Sequence, residues 1–417
     1  MAQTTINNGD SGLVARNAIN DNFTELYASG VANIPIWQLS NIMQGLQRIP
    51  AFFRRRDPQT GAASAMKSNF VIGSGPDMHW DLDALDRANT FIELIKWDKR
   101  NSDINPEQIV HAMVVQGDFM REDPDKQVFK DRYAELAVIG AAYAVDLLFA
   151  IGNHDMNALY GDAVDTVMSK AELRTSLIDP IIANVNNVVA GSGNANYYYK
   201  DYVQSGPTTS DQFKVRVIVL DENDVSQVND GTDYTYTQNA INYSQAQLTW
   251  LAETALNLPD EDYHVIIFGH KLLQTASTYN TSKQAVQNII DAFAQQGTVV
   301  MNDTTTDFEF SLNVDFSTIN GFNGVFVSYF CGHDHYPIIS KITINGNQYN
   351  NIEIPSLSSS SPGYTRQKET GTKDMLTFIV VDTDNKEIKL LRYGNPSNIE
   401  GDELPYGDYG IDPLITY

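Results

Sequence analysis

From about Asn69 onward the chain alternates short apolar runs with polar clusters. FVIGS (70–74), HAMVV (111–115), DLLFAI (146–151), VRVIVL (215–220), HVIIF (264–268) and VFVSYF (325–330) are rich in β-branched and aromatic residues. Such runs predict buried strands. Segments with helical spacing lie between them. In SQAQLTWLAETAL, Ser244 and Gln247 match the S-x-x-Q pattern of a capping box, and Leu248, Leu251, Ala252 and Ala255 mark one helix face. MLTFIVVDTDNKEIKLLRYG predicts a β-hairpin about DTDNK. Repeated strand, loop and helix units predict a layered α/β domain whose strand ends carry the polar residues.

The chain before this pattern differs. Residues 1–30 are polar and Asn-rich, and their apolar positions reduce to a short stripe, Ile19, Phe23 and Leu26, too little to fold alone. Residues 31–68 read as a connector: the helix candidate IPIWQLSNIMQGLQRIPAFF, then Arg54, Arg55 and Arg56, then the turn-rich DPQTGAAS. The three arginines read as a solvated surface stripe. The division is 1–30, 31–68, a main domain over 69–394, and a tail over 395–417. No internal repeat is visible, and SLSSSSPGY (356–364) is too short for a linker.

Composition narrows the function classes. A chain of 417 residues with 42% hydrophobic residues can fill a sizeable core. Its 52 acidic against 28 basic residues give a formal net charge of -24, which repels polyanions and argues against nucleic acid as a bulk partner. The single cysteine, Cys331, excludes an intramolecular disulfide framework and any CxxC metal site. No apolar run is long enough for membrane insertion, and MAQTTINNGD lacks the pattern of a signal peptide, so the expectation is a soluble product with no Sec leader.

The chemistry stands at the strand ends. After FVIGS comes Asp77-Met78-His79; after HAMVV, Gly117-Asp118; after DLLFAI, Gly152-Asn153-His154-Asp155; after HVIIF, Gly269-His270; after VFVSYF, Gly332-His333-Asp334-His335. Five of the seven histidines belong to this set. Each group alone is weak, since Gly-Asn and Gly-Asp are common turn signals. Parallel strands, however, deliver their carboxyl ends to one crevice, where imidazoles, carboxylates and an amide would converge. Neutral imidazole and carboxylate suit Mn, Fe and Zn ions.

The series D-x-H, G-D, G-N-H-D, G-H and G-H-D-H, in this order after apolar strands, resembles the motif set of the calcineurin-like metallophosphoesterases over residues 69 to about 394. The resemblance implies a four-layer αββα sandwich, with two sheets face to face and helices outside. It also implies two divalent transition-metal ions. One would be held by Asp77, His79, Asp118 and His335. The other would be held by Asp118, Asn153, His270 and His333, with Asp118 bridging. The implied reaction is hydrolysis of a phosphate mono- or diester by a metal-bridging hydroxide, with His154 facing the leaving group as its catalytic partner.

One position departs from the family pattern. Many members read G-D-x-x-D, whereas here Arg121 follows Asp118-Phe119-Met120. Either Asp155, Glu122 or Asp123 orients His154, or Arg121 binds a substrate phosphate through its planar fork, or Arg121 is a surface residue. Other residues have plain structural readings. His111 and His264 begin strands, Asp81 and Asp83 open a helix, and Cys331 is a small buried residue.

The N-terminal INNGDSGLVARNAINDNFTELYA resembles the opening segment of tailed-phage virion proteins, where it precedes a fibre, spike or enzyme domain; the plain alternative is an ordinary helix after a Gly-Ser start, capped by Ser11. That resemblance implies an enzyme displayed on a virion. Its substrate would be a host-surface glycan or lipid phosphate, and its partners other virion proteins or further copies of the chain. Without it, the expectation is a cytoplasmic enzyme. The contrasting function is a structural virion component whose phosphoesterase fold binds metal but no longer turns over. Pocket-forming segments such as 156–213 and 271–320 carry no readable motif.

Overall fold

The structure is a computed structural model and describes residues 54–56, 63–65, 69–79, 110–121, 123–143, 146–157, 166–205, 212–224, 227–229, 234–236, 242–273, 281–304, 309–319, 324–356, 360–361, 364–365, 376–393, 410–411 and 414–417. The N-terminal segment, the helix candidate in the connector, Asp81, Asp83, Glu122 and most of the tail lie outside the described residues. Within the connector, Arg54–Arg56 pairs antiparallel with Ala63–Ala65.

Each apolar run forms a strand. β1 is Asn69–Ser74, β2 Ala112–Gln116, β3 Asp146–Ala150, β4 Val188–Ala190, β5 Tyr198–Gln204, β6 Phe213–Val219, β7 His264–Phe268, β8 Thr298–Asp303, β9 Phe310–Asp315, β10 Val325–Cys331, β11 Ile338–Ile344, β12 Asn347–Glu353, β13 Leu376–Asp382 and β14 Glu387–Tyr393. Among the described residues the longer helices are α1, Lys126–Tyr143, α2, Gln245–Trp250, which continues through Leu251–Ala255, and α3, Thr281–Gln295, with further helical turns over 170–182 and 316–319.

The strands form two large sheets. The first contains β14-β13-β1-β2-β3 in that order, with β1, β2 and β3 parallel, the β13–β14 hairpin antiparallel on one side, and Gly410–Ile411 and Ile415–Thr416 pairing antiparallel with β14 beyond it. The second runs β11-β12-β10-β7-β6-β5-β4, with β12, β10, β7 and β6 parallel at its centre. β8 and β9 pair separately.

Alternation along the strands packs the sheets face to face. Val215, Val217 and Val219 of β6 and Ile266 and Phe268 of β7 join one core with Phe70 and Ile72 of β1. Ile218, Val265 and Ile267 point the other way, into a second core with Leu248, Leu251, Ile289 and Phe293. A register shift between β7 and β10 at Val265/Ile266 passes over Val327, a β-bulge that realigns β10 so that Phe330 and Phe268 stack within the inner core. On the outer side of the first sheet, Phe129, Tyr133 and Leu136 of α1 pack with Leu173 and Leu177, and Tyr133 meets Phe149 edge to face. The layers are therefore helix, sheet, sheet, helix.

Side chains bolt the sheets together. Phe70 of β1 contacts the rings of Tyr202 and Phe213 in the opposite sheet. β3 ends the first sheet, and the Tyr198 hydroxyl accepts from its Phe149 N–H at 2.6 Å and lies 3.1 Å from its carbonyl. At Phe149 the edge strand thus has its free backbone groups satisfied inside the core.

One local expectation changes. Ser244 caps α2 by accepting the Gln247 N–H at 3.2 Å, but the Gln247 side chain does not return to Ser244. Its amide instead brackets Asp221, accepting that residue's N–H at 2.9 Å and donating to its carbonyl at 2.8 Å. The Ser244 N–H goes to Asp224. A buried loop with unmet backbone groups outcompetes the helix's own capping box.

Candidate metal centre

The loops following β1, β2, β3, β7 and β10 carry the strand-end residues, and their backbones interlock. The Asp77 N–H donates to Gly117 O at 3.0 Å, the His79 N–H to Asp118 O at 2.9 Å, the Gly269 N–H to Phe330 O at 3.0 Å and the Gly332 N–H to His270 O at 2.9 Å. Asp77, His79, Asp118, His333 and His335 have φ of 53°, 46°, 52°, 85° and 68°. Non-glycine residues seldom occupy this left-handed region, and each such residue costs on the order of 1–3 kcal/mol, so surrounding contacts must hold it there. Two glycines make room. A Cβ on Gly117, φ 85°, would stand 2.5 Å from His270 Nδ1, and one on Gly152 would stand 2.1 Å from Asp118 Oδ1.

Three buried carboxylates fasten these loops. Asp155 accepts the N–H groups of Asp118 (2.8 Å), Phe119 (3.0 Å), Met120 (3.2 Å) and Gly152 (2.8 Å), and lies 3.3 Å from the Tyr133 hydroxyl. Glu222 accepts the His270 N–H at 3.0 Å and the Lys271 N–H at 2.7 Å, and also the Tyr329 hydroxyl. Glu353 accepts the Asp334 N–H at 2.7 Å. The site carboxylates do the same: Asp77 accepts the His333 N–H, and Asp118 Oδ1 accepts the His154 N–H at 2.8 Å.

The donor atoms so aimed crowd together. His270 Nε2 lies 3.1 Å from Asp118 Oδ2, 3.0 Å from Asn153 Oδ1 and 3.2 Å from His333 Nδ1. Its other nitrogen, Nδ1, is 2.7 Å from Gln116 O, which fixes the ring and leaves Nε2 facing the cluster. On the other side, His79 Nε2 is 3.1 Å from His335 Nε2, and His335 Nε2 is 3.8 Å from Asp77 Oδ1. His154 Nε2 is 3.8 Å from Asp118 Oδ2. Among the described residues the potential ligand atoms fall into three groups, Asp77–His79–His335, Asp118–His270–His333 and His79–Asp118–His154, and Asp118 and His79 each belong to two of them.

This set fits cations better than it fits itself. Two imidazole nitrogens 3.1 Å apart have at most one proton to share between neutral rings, and three acceptors surround His270 Nε2. Burial pushes Asp77 up to about 8 despite the pull of His270, and pushes His79 down to about 3 and His333 to about 2. Burial also opposes charge on His270, but Asp118, Asp77 and Glu222 outweigh it and raise that ring to about 10. The neutral imidazoles and the strained buried carboxylate are the states that divalent ions, rather than protons, would satisfy.

The structure thus brings together Asp77, His79, Asp118, Asn153, His154, His270, His333 and His335. Arg121 is exposed at the end of the β2 loop. Asp155 does not orient the His154 ring, because its carboxylate takes backbone amides and Tyr133. Asp123 accepts the Asp125 N–H. Glu222 and Glu353 belong to none of the sequence motifs. Glu222 has a signal nonetheless: VRVIVL ends in Asp221-Glu222-Asn223-Asp224, a polar cluster at a parallel strand end like the others, but without a histidine. Cys331 is buried, and burial holds its thiol far up, as expected for a packing residue.

No known family profile matches the chain, and no curated protein sequence matches it. Solved structures similar to it include a dimetal phosphatase from Danio rerio (14% identity, TM-score 0.45, covering 78% of this chain and 96% of that one). GAP50, the anchor in the inner membrane complex of Plasmodium, is similar at 12% identity and TM-score 0.38, covering 81% and 89%. NAD nucleotidase of Haemophilus influenzae is similar at 12% identity and TM-score 0.33, covering 83% and 49%. Among the described residues no helix is long and apolar enough to cross a membrane.

Proposed function

We propose that this chain is a dimetal phosphoesterase of the calcineurin-like metallophosphoesterase superfamily. The observation that carries the reading is the position of Asp118, a buried carboxylate that groups with His79 on one side, where Asp77 and His335 also converge, and with His270 and His333 on the other. Asp77, His79, Asp118 and His335 would hold one ion. Asp118, Asn153, His270 and His333 would hold the other. Two divalent ions, Mn, Fe or Zn, when bound, supply activation of a water and neutralisation of phosphoryl oxygens. The chain's own contribution is to fix the donors on short, interlocked loops, so that little reorganisation is left for the reaction. His154, whose side chain is 23% exposed and whose Nε2 is 3.8 Å from Asp118 Oδ2, would stabilise or protonate the leaving-group oxygen. Arg121, exposed on the adjoining loop, would bind a substrate phosphate.

A second role for His154 has its own support: with His79 and Asp118 it forms one of the three donor groups, so it could ligate an ion instead. The N-terminal sequence supports display on a phage particle, with host-surface glycan or lipid phosphate as substrate. The test is metal analysis of the purified protein together with turnover of p-nitrophenyl phosphate and bis-p-nitrophenyl phosphate. The expected result is two ions per chain and chelator-sensitive hydrolysis of at least one ester. Fully metallated, folded protein inactive on both would overturn catalysis and favour a structural virion component with a degenerate site.

A further inference from the structure

Four parallel strands, β12, β10, β7 and β6, lie side by side in the second sheet, and the two inner ones carry all three of its strand-end histidines: His270 after β7, His333 and His335 after β10. The two outer strands each end in a glutamate, Glu222 just after β6 and Glu353 at the end of β12. Both glutamates are 1% exposed. Each reaches sideways to the backbone of the histidine loop next door, Glu222 to the His270 and Lys271 amides and Glu353 to the Asp334 amide between the two histidines. Neither lies at hydrogen-bond distance from a proposed ligand side chain among these contacts. The loop gripped by Glu353 has left-handed backbone at both His333 and His335, a conformation that persists only where its surroundings impose it.

We propose that Glu222 and Glu353 are positioning residues that set the metal affinity of the centre by clamping the backbones of the neighbouring histidine loops. The proposal rests on the ligand assignment given above. It makes the two clamps unequal. Glu353 holds the loop that supplies one imidazole to each ion, so loosening it weakens both ions. Glu222 holds only the His270 loop, so loosening it weakens the ion shared by Asp118, Asn153, His270 and His333.

The clamps also differ in what glutamine can replace. Glu353 uses one oxygen, Oε1, while its Oε2 is buried without a hydrogen-bond partner. A glutamine there keeps the acceptor. Glu222 uses both oxygens on amides and also meets the Tyr329 hydroxyl, so in Glu222→Gln an NH₂ group must face an N–H or O–H donor.

The experiment is Mn²⁺ titration of metal-free parent, Glu353→Gln, Glu353→Ala, Glu222→Gln and Glu222→Ala, with stoichiometry and both affinities read by electron paramagnetic resonance. Glu353→Ala should weaken both ions by about 10- to 100-fold, the range for groups that orient ligands from behind, and Glu353→Gln should restore them to within about threefold of the parent. Both Glu222 variants should weaken one ion by a similar factor and spare the other. Equal affinities in the parent and Glu353→Ala, or no rescue by Glu353→Gln, would overturn the proposal. A parent that binds no Mn²⁺ would instead overturn the metal reading. If an alanine variant does not fold, amide exchange decides on the metal-free parent and Glu353→Gln: the Asp334 amide must be protected in both, and fast exchange there removes the clamp.

Discussion

The seven histidines are divided between the two ends of the sandwich, and the division shows what makes an imidazole a ligand candidate. His111 and His264 stand where β2 and β7 begin. His111 Nδ1 accepts the Val71 N–H at 3.0 Å, and its ring stacks on Phe70 and meets Phe213 edge on. His264 Nδ1 is 2.9 Å from the Tyr417 hydroxyl, under the edge of that ring. Each has one polar partner and aromatic neighbours. At the other end, where the same strands finish, the five remaining histidines have one another and carboxylates for neighbours. Burial lowers the proton affinity at both ends: His111 and His264 are pushed down to about 4, as His79 is to about 3 and His333 to about 2. What differs is convergence. A strand-start histidine is satisfied by a single contact, whereas the strand-end rings leave several donor atoms aimed at common points.

The sharpest way to break this contrast is at its centre. Asp118→Asn is expected to lose both ions and reduce ester hydrolysis to background, because one buried carboxylate serves two donor groups; metal analysis and turnover check it, and retention of both ions would remove the shared-ligand assignment. His154→Ala is expected to keep its ions and lose about 10²- to 10⁴-fold in kcat, less for esters with good leaving groups. An emptied site would make His154 a ligand instead.

Asp155→Ala tests the scaffold rather than the chemistry. It leaves four backbone N–H groups without their carboxylate. The expected loss is about 3 kcal/mol or more of unfolding free energy, measured by denaturant unfolding. His111→Leu, at the strand-start end, should cost only about 1–3 kcal/mol through the orphaned Val71 N–H and should leave metal content at the parental level.

The smallest effect is in pH dependence. His111 and His264 titrate near 4 when folded and near 6.5 when unfolded, so between those values the unfolded chain binds more protons. Their contribution is present above pH 6.5 and is lost as pH falls towards 4. In the His111→Leu/His264→Leu protein the slope of stability against pH across that window should be shallower than in the parent at matched metal content.

Much of this is legible along the chain because strands announce themselves locally. FVIGS, HAMVV and DLLFAI match β1, β2 and β3 within a residue or two, since a run of apolar β-branched and aromatic residues has few other ways to bury itself. The polar residues that follow them are therefore assignable to strand ends from the linear pattern alone, and histidine marks four of the five groups. The Asp221-Glu222-Asn223-Asp224 cluster carries no such mark and resembles any acidic turn.

By itself, then, the sequence determined which residue types stand at which strand ends and the layered α/β class, because both follow from local pattern. Only the tertiary structure decided how those ends are held. That Gln247 turns from its helix to Asp221, that Asp155 gathers amides instead of orienting His154, and that Glu222 and Glu353 grip neighbouring loops are all contacts between segments well separated in the chain. Asp155 and Asp118 are 37 positions apart, and Glu353 and Asp334 are 19 apart. A buried carboxylate has no preferred partner written into its own neighbourhood. It takes whichever unmet backbone groups the packed sheets bring within reach, and that is settled by strand order and register rather than by local sequence.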